Sequence, residues 1–302
     1  METLSYIDTL LDINKALLEL NGRKYHLINV AGCGGSSIVY KARKEGNNED
    51  FVVIKEFCPH NLNIQRNTDG SIYVNNEKIP EYKKLMARAE NEYVIANKLR
   101  YEKENNDPWF LYYGKPIPKN NTLYTVIATE KGDMLSDIIN NGFFKEKDFI
   151  YICDCMLKIL DALKFIHNKK YLHLDISPDN ILFSDLGIAR LIDYNSAFRL
   201  DDDIKDWIPS KKLGYSADEL VNFVSTKFLS CQTDFYSITA IFFELLIGRI
   251  PENNDWVLRR WWQLTNESRY LAGASNLLIK KTSKFLQTGL SVIPTERFKN
   301  IE

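Results

Sequence analysis

The stretch His-Leu-Asp-Ile-Ser-Pro-Asp-Asn at residues 173–180 sets Asp175 and Asn180 five positions apart, just after an amphipathic helical pattern that fades into His167-Asn168-Lys169-Lys170. A third oxygen-bearing side chain, Asp193, follows Asp175 by eighteen residues in the apolar run Leu-Ile-Asp-Tyr-Asn-Ser-Ala. Hard oxygen donors that leave room for phosphate oxygens and water suit Mg²⁺. A carboxylate left off the metal can orient a hydroxyl and accept its proton. This reading asks for a nucleotide-binding region upstream.

Two features supply one. Ala31-Gly-Cys-Gly-Gly-Ser-Ser37 approximates G-x-G-x-x-G with serine for the last glycine, but it leads into Ser-Ile-Val-Tyr-Lys-Ala, a strand pattern. A dinucleotide-binding turn would lead into a helix, so that fold is excluded, and no Gly-Lys-Ser/Thr Walker loop is present. A strand-loop-strand flap can still lay backbone N–H groups over phosphates; the ordinary alternative is a hairpin turn. Lys55 lies within Val-Val-Ile-Lys-Glu-Phe, where burial of an ammonium requires an anionic partner. Phosphate and carboxylate both qualify, and Glu92, beside Val94, Ile95 and Leu99, stands where it can point inward to Lys55.

Around these features the chain divides in two. β-Branched and aromatic runs from Tyr25 to Phe57 predict a strand meander, residues 81–99 a helix, and Leu123–Ala128 a further strand. Residues 4–20 place Leu4, Ile7, Leu11 and Leu18 on one helical face, ended by Asn21-Gly22, and predict a helical lead-in over 1–20. Beyond Gly132 the pattern is helical, with Phe149 to Ile166 recurring at three and four and a second apolar helix at 234–247. The boundary falls near residue 131, giving a smaller β-rich part (21–131) and a larger helical part (132–302). Between Lys55 and Glu92, Asn67-Thr68-Asp69-Gly70 followed by Ser-Ile-Tyr-Val predicts a β-hairpin inserted at about 58–80.

Composition narrows the class. The 302 residues are 45% apolar and 12% aromatic, enough for a large core or two lobes. Thirty-nine basic against 40 acidic residues give a net charge of -1, so no global field draws nucleic acid or anionic membrane. Five scattered cysteines without C-x-x-C spacing suggest neither disulfides nor zinc and fit a reducing cytosol. The most apolar run, at 241–250, contains Glu244 and is too short to span a bilayer, so the expectation is a cytoplasmic protein without a membrane segment. Asp-Asp-Asp-Ile-Lys-Asp at 201–206 reads as a solvated loop, Arg-Arg-Trp-Trp at 259–262 as helix packing, and Cys153 and Cys155 as core.

Taken together, the glycine loop, Val-Val-Ile-Lys, His-Leu-Asp-Ile-Ser-Pro-Asp-Asn, Leu-Ile-Asp-Tyr-Asn, Gly-Tyr-Ser-Ala-Asp-Glu at 214–219 and the following Asp-Phe-Tyr-Ser-Ile helix resemble, in order, the signature set of the protein kinases. The resemblance runs from about Tyr25 to Arg297 and implies a two-lobed α+β kinase-like fold using ATP and Mg²⁺. It implies that Lys55 binds the α and β phosphates and pairs with Glu92, that Asp175 is the catalytic base, and that Asn180 and Asp193 hold Mg²⁺. It groups Gly32, Gly34, Gly35, Ser36 and Val39 around the nucleotide, with Ile127 as gatekeeper and Ala128, Thr129 and Glu130 as the hinge that reads adenine. It also implies protein substrates, the chain itself among them, with serine or threonine as acceptor because neither tyrosine-kinase catalytic-loop pattern is present.

Several positions depart from the family pattern. Leu174 replaces a common arginine that reads an activating phosphate, which suggests a form independent of that phosphate. Ser177 stands where a lysine is usual and Lys212 where a threonine is usual, so hydroxyl and ammonium have traded places; Lys212 then supplies the lost charge to the γ-phosphate, or is a solvated loop charge. Asn195 replaces a glycine and is expected to tolerate a left-handed turn, and the Tyr194 hydroxyl needs a partner. Asp218 replaces a proline, leaving Glu219 to pair with Arg297. The hairpin insertion resembles one in bacterial kinases of eukaryotic type and points to a bacterial source. The chain stops five residues after Arg297, short of the family's last helix, and so reads as one domain of a longer protein. A nucleotide-binding scaffold without transfer, and a kinase of small molecules, remain alternatives; the Gly-Tyr-Ser-Ala-Asp-Glu segment argues against the latter.

Overall fold

The computed structural model describes residues 10–13, 17–46, 51–101, 111–202, 207, 209–252, 255 and 261–301. They form two compact units, divided after Glu130.

The first unit is built on a six-stranded antiparallel sheet in the order β1-β2-β3-β4-β8-β7. Its strands are β1 (Leu17–Leu20), β2 (Arg23–Cys33), β3 (Ser37–Lys44), β4 (Phe51–Phe57), β7 (Ile117–Lys119) and β8 (Thr122–Ala128). A separate two-stranded hairpin, β5 (Gln65–Arg66) with β6 (Ile72–Tyr73), precedes helix α1 (Ile79–Tyr101). Alternation decides the faces. On β3, Ile38, Tyr40 and Ala42 are fully buried and, with Ile54 and Tyr124, form the core under the sheet.

The helical lead-in is corrected in part. Residues 17–20 are strand β1, paired Leu17↔His26 to Leu20↔Arg23. The reason is local: Asn21 (φ 49) and Gly22 (φ 72) make the doubly left-handed turn that closes a two-residue hairpin, so Asn-Gly joins two strands instead of ending a helix. Residues 10–13 are not helical either, and residues 1–9 and 14–16 of that expectation lie outside the described residues.

The second unit is mainly helical. It contains β9 (Gly132–Met134), α2 (Leu135–Asn140), α3 (Phe149–Asn168), β10 (Tyr171–Leu172), β11 (Ile181–Ser184), β12 (Ala189–Leu191), β13 (Phe198–Arg199), α4 (Asp218–Val221), α5 (Cys231–Ile247), α6 (Trp261–Glu267) and α7 (Asn276–Gly289). Helix α5 is the hub, because its apolar run buries residues on every side, from Thr233 to Leu246. Asp148 caps the start of α3 by accepting from Tyr151 N, and Gly248 (φ 85) closes the end of α5. Glu219 forms a two-armed pair with Arg297, at 2.6 and 2.9 Å.

Trp261 is buried and packs edge-on against Phe243, while Arg259 and Arg260 lie outside the described residues, as do 203–206 of the acidic run. Cys155 is buried and Cys153 half-buried, both as free thiols. No helix among the described residues is long and apolar enough to cross a membrane.

Candidate active site

In the first unit, sheet register explains why the upstream residues share a face. Val39 lies opposite Lys55, Lys55 opposite Thr125, and Val53 opposite Ile127; Gly32 lies opposite Val39. Directly opposed residues point the same way, as do residues two apart on a strand, so Val39, Val53, Lys55, Thr125 and Ile127 line one face. On that face the Lys55 ammonium donates to both carboxylate oxygens of Glu92 on α1, at 3.0 and 2.9 Å, and both side chains are nearly buried. Each charge meets the desolvation demand of the other.

The glycine loop joins β2 to β3 and is pinned by Gly34 N to Ser37 O (2.8 Å), Cys58 N to Ser36 O (2.8 Å) and His60 N to Gly35 O (3.1 Å). Gly32, Gly34 and Gly35 do not have left-handed φ, and a Cβ built at Gly32 or Gly35 meets nothing within 4 Å among the described residues. Neither backbone geometry nor internal packing therefore asks for these glycines. Close approach by something else would. In the segment 128–130, the Ala128 N–H donates to Tyr112 O (3.0 Å) and Thr129 Oγ1 to Phe51 O (2.7 Å), which ties the end of β8 to its neighbours.

In the second unit, hairpin β11–β12 pairs Ile181 with Leu191, and Ile192 N donates to Asn180 O one step further (3.0 Å). The pairing brings Asn180 and Asp193 to the same end of the hairpin. Asn180 Nδ2 donates to the Asp175 carbonyl (2.7 Å), which draws the 173–180 loop to that end as well. The eighteen-residue interval is thus one loop plus one hairpin.

His173 locks the arrangement from beneath. Its Nε2–H donates to Ile192 O (3.1 Å) and Nδ1 accepts from Asp175 N (3.3 Å), and burial lowers its pKa, so the ring is neutral with one defined tautomer. The Asp175 carboxyl is pushed up to about 6: burial raises it most and the nearby Asp193 charge adds to the rise, while Lys212 and hydrogen bonds from Ser210 and Asn180 act against it.

Lys212 and Ser177 also meet. Lys212 Nζ is 2.7 Å from Ser177 Oγ and 3.1 Å from Asp179 Oδ2.

The left-handed turn is corrected from Asn195 to Asp193. Asp193 has φ 64 and caps a single 3₁₀ turn, Tyr194–Ser196, by accepting from Asn195 N (3.4 Å), so Asn195 sits inside the turn with ordinary backbone. The Tyr194 hydroxyl donates to Leu191 O (2.9 Å).

Leu174 is buried in an apolar cluster with Leu172, Phe198, Trp207, Leu220 and Leu229, which joins the 173–180 loop to residues 198–229. Trp207 stacks edge-on with Phe198 and Phe223 and donates Nε1–H to Ser196 O (3.1 Å). Leu174→Arg is therefore expected to lower stability by about 3–5 kcal/mol, because it buries a guanidinium without a partner. Thermal unfolding checks this; an unchanged midpoint would mean that the cluster opens to water at little cost.

Sequence reasoning assigned no role to Asp234 or His167. Asp234 is fully buried on α5 and accepts from His173 N (2.9 Å), Leu174 N (2.8 Å) and His167 Nε2 (2.8 Å). The signal was present: a carboxylate in the apolar run 231–247 raises the same question as Lys55 in its strand.

A model of the protein kinase domain matches residues 25–298. The chain belongs to the protein kinase family. Its fold, a β-sheet unit followed by a helical unit, is that of the family. The kinase is 30% identical over 146 residues to the probable serine/threonine-protein kinase PknB of Bifidobacterium longum, covering 48% of this chain and 21% of the relative. It is 28% identical over 276 residues to the mitosis inhibitor protein kinase SWE1 of Candida albicans, covering 91% and 22%. Against the serine/threonine-protein kinase SKM1 of Saccharomyces cerevisiae it is 24% identical over 299 residues, covering 94% and 43%. The chain thus spans about a fifth of the length of the first two relatives and under half of the third.

Proposed function

We propose that the chain is a protein serine/threonine kinase that transfers the γ-phosphate of ATP to protein hydroxyls. The observation that carries the reading is the convergence of Asp175, Asn180 and Asp193 at one end of a hairpin in a chain of this family. The similarity to serine/threonine-protein kinases supports serine and threonine as acceptors.

Each unit contributes its own groups. In the first, the open glycine loop suits backbone approach to phosphates, Lys55 held by Glu92 suits the α and β phosphates, and Val39, Ile127 and the 128–130 segment suit the base. With the Ala128 N–H already engaged, the base is read by other groups of that segment. In the second, Asn180 Oδ1 and the Asp193 carboxylate are two oxygen donors, and among the described residues no cluster of three or more acidic, histidine or cysteine side chains could hold a metal. Two protein ligands fit Mg²⁺, which keeps water and phosphate oxygens in its shell. When bound, the ion neutralises charge on the phosphate oxygens.

Asp175 orients the acceptor hydroxyl and takes its proton as the new oxygen–phosphorus bond forms and the bond from the γ-phosphorus to the β–γ bridging oxygen breaks, with ADP as the leaving group. Because catalysis in this class is positioning plus electrostatics, a fixed cation near the reacting phosphate matters, and Lys212 beside Ser177 restores the one the sequence lost. Lys212→Ala is expected to lower kcat on the order of 10²-fold with a smaller change in KM. Steady-state kinetics checks this, and the exchange variant Ser177→Lys/Lys212→Thr is expected to recover transfer. A wild-type rate in Lys212→Ala would reduce Lys212 to a structural tie.

The apolar cluster around Leu174 supports activity without phosphorylation of the 198–229 segment. Incubation with γ-labelled ATP, Mg²⁺ and a generic basic protein tests the function. Label in serine or threonine is expected.

A further inference from the structure

The first unit holds a second buried charge pair, on the sheet face opposite Lys55. Neighbouring strand residues point to opposite faces, so Glu56 enters the core where Lys55 leaves it. The Glu56 carboxylate is fully buried and accepts from Tyr124 OH (2.5 Å) and Tyr40 OH (3.0 Å). Its third donor is Arg66 of the inserted hairpin, at 2.7 Å, and the other guanidinium arm donates to Gly70 O across the hairpin turn (2.7 Å).

The far strand of that hairpin is tied to the β7–β8 turn. Ile72 N donates to Asn120 O (2.8 Å) and Asn121 Nδ2 to Ile72 O (3.2 Å). The same turn holds α1, since Tyr82 OH donates to Asn121 O (2.8 Å), and the Tyr82 ring packs on Phe57, two residues after Lys55. A closed circuit thus runs from Glu56 through Arg66, the hairpin and the turn to α1. Glu92 lies ten residues further along α1, on Lys55.

We propose that Arg66 is a positioning residue for phosphoryl transfer: through Glu56 and the hairpin it holds α1 so that Glu92 stays on Lys55. The proposal rests on the reading of Lys55 given above. It makes the insertion an internal brace, so that α1 needs no outside partner to keep the pair formed. The geometry also explains why an arginine is used, since one planar fork reaches both the carboxylate and the turn carbonyl.

Arg66→Ala leaves a buried carboxylate without its cation and risks unfolding, so the decisive variant is Glu56→Gln/Arg66→Met, which removes both charges at similar volume. Hydrogen exchange of α1 amides is measured together with kcat and KM for ATP, each with Glu92 intact and with Glu92→Gln. The expected result is faster α1 exchange, a fall in kcat of about tenfold with little change in KM, and loss of that penalty in the Glu92→Gln background. Arg66→Lys, which keeps the charge but not the fork, is expected to fall between. Unchanged α1 exchange overturns the proposal, as does a kcat penalty that persists in full without Glu92. If the wild type transfers no phosphate, the kinase reading fails on its own, and the exchange measurement still decides whether Arg66 holds α1.

Discussion

Replacing Asp175 by asparagine is expected to lower phosphoryl transfer by about 10²- to 10⁴-fold, the range for removing a general base. The thermal midpoint is expected to stay within a few degrees. The two effects separate because of how the residue is held. Backbone groups of Asp175 fix the loop, its N–H meeting His173 Nδ1 and its carbonyl accepting from Asn180, and asparagine keeps a side-chain oxygen to accept from Ser210 and Asn180. Burial already works against the charged carboxyl, so an isosteric amide removes an unfavourable charge along with the base. Initial rates and calorimetry on the same preparation check both halves. A variant that transfers phosphate at the wild-type rate would remove Asp175 from the reaction.

Asp234→Ala is expected to be the most damaging single change to the fold around the site, at about 3–5 kcal/mol. It strips one carboxylate from three donors at once and leaves the buried His167 ring without its anion. It also releases Leu174, whose φ of 61 is costly for a leucine and is held by its N–H bond to Asp234.

The same pair sets a pH dependence. Burial works to lower the His167 pKa, but hydrogen bonds to Asp234 and Cys231 and the Asp234 charge outweigh it and raise the value to about 9. Burial works to raise Asp234, and His167 outweighs it, so the carboxyl lies below its usual range. A raised histidine contributes stability that is complete below its ordinary value of 6.5 and disappears as pH rises through about 9. A depressed aspartate contributes stability present above its ordinary 3.8 and lost as pH falls through its folded value. The pair is therefore at full strength between these ordinary values, and the thermal midpoint of the wild type is expected to decline from neutral to alkaline pH. In Asp234→Asn that alkaline slope should flatten; an identical slope would assign it to other groups.

Much of this arrangement was legible because burial makes charge expensive. Lys55 in a strand of valines and isoleucine had to find an anion, and Glu92 among apolar neighbours was the anion it found. The interval from Asp175 to Asp193 was legible as chemistry, but only the β11–β12 register shows why it is eighteen residues long. Leu17–Leu20 was misread because apolar residues at positions 4, 7, 11 and 18 satisfy a helical period, while strand β1 is decided by its turn and its partner. Asn195 was favoured for the left-handed turn on intrinsic tolerance, yet capping by its own side chain settles the turn on Asp193. Contacts such as Arg66 to Glu56 and Ser210 to Asp175 join distant side chains that no periodicity relates.

The measurement that bears most directly on the account is the identity of the residue labelled from γ-labelled ATP and Mg²⁺, in wild type and Asp175→Asn side by side. Phosphoserine and phosphothreonine in the wild-type reaction, lost in Asp175→Asn, are the predicted result. No label in either, with a clear rise in thermal midpoint on adding ATP and Mg²⁺, would contradict it and leave a kinase fold that binds nucleotide without transferring phosphate to protein.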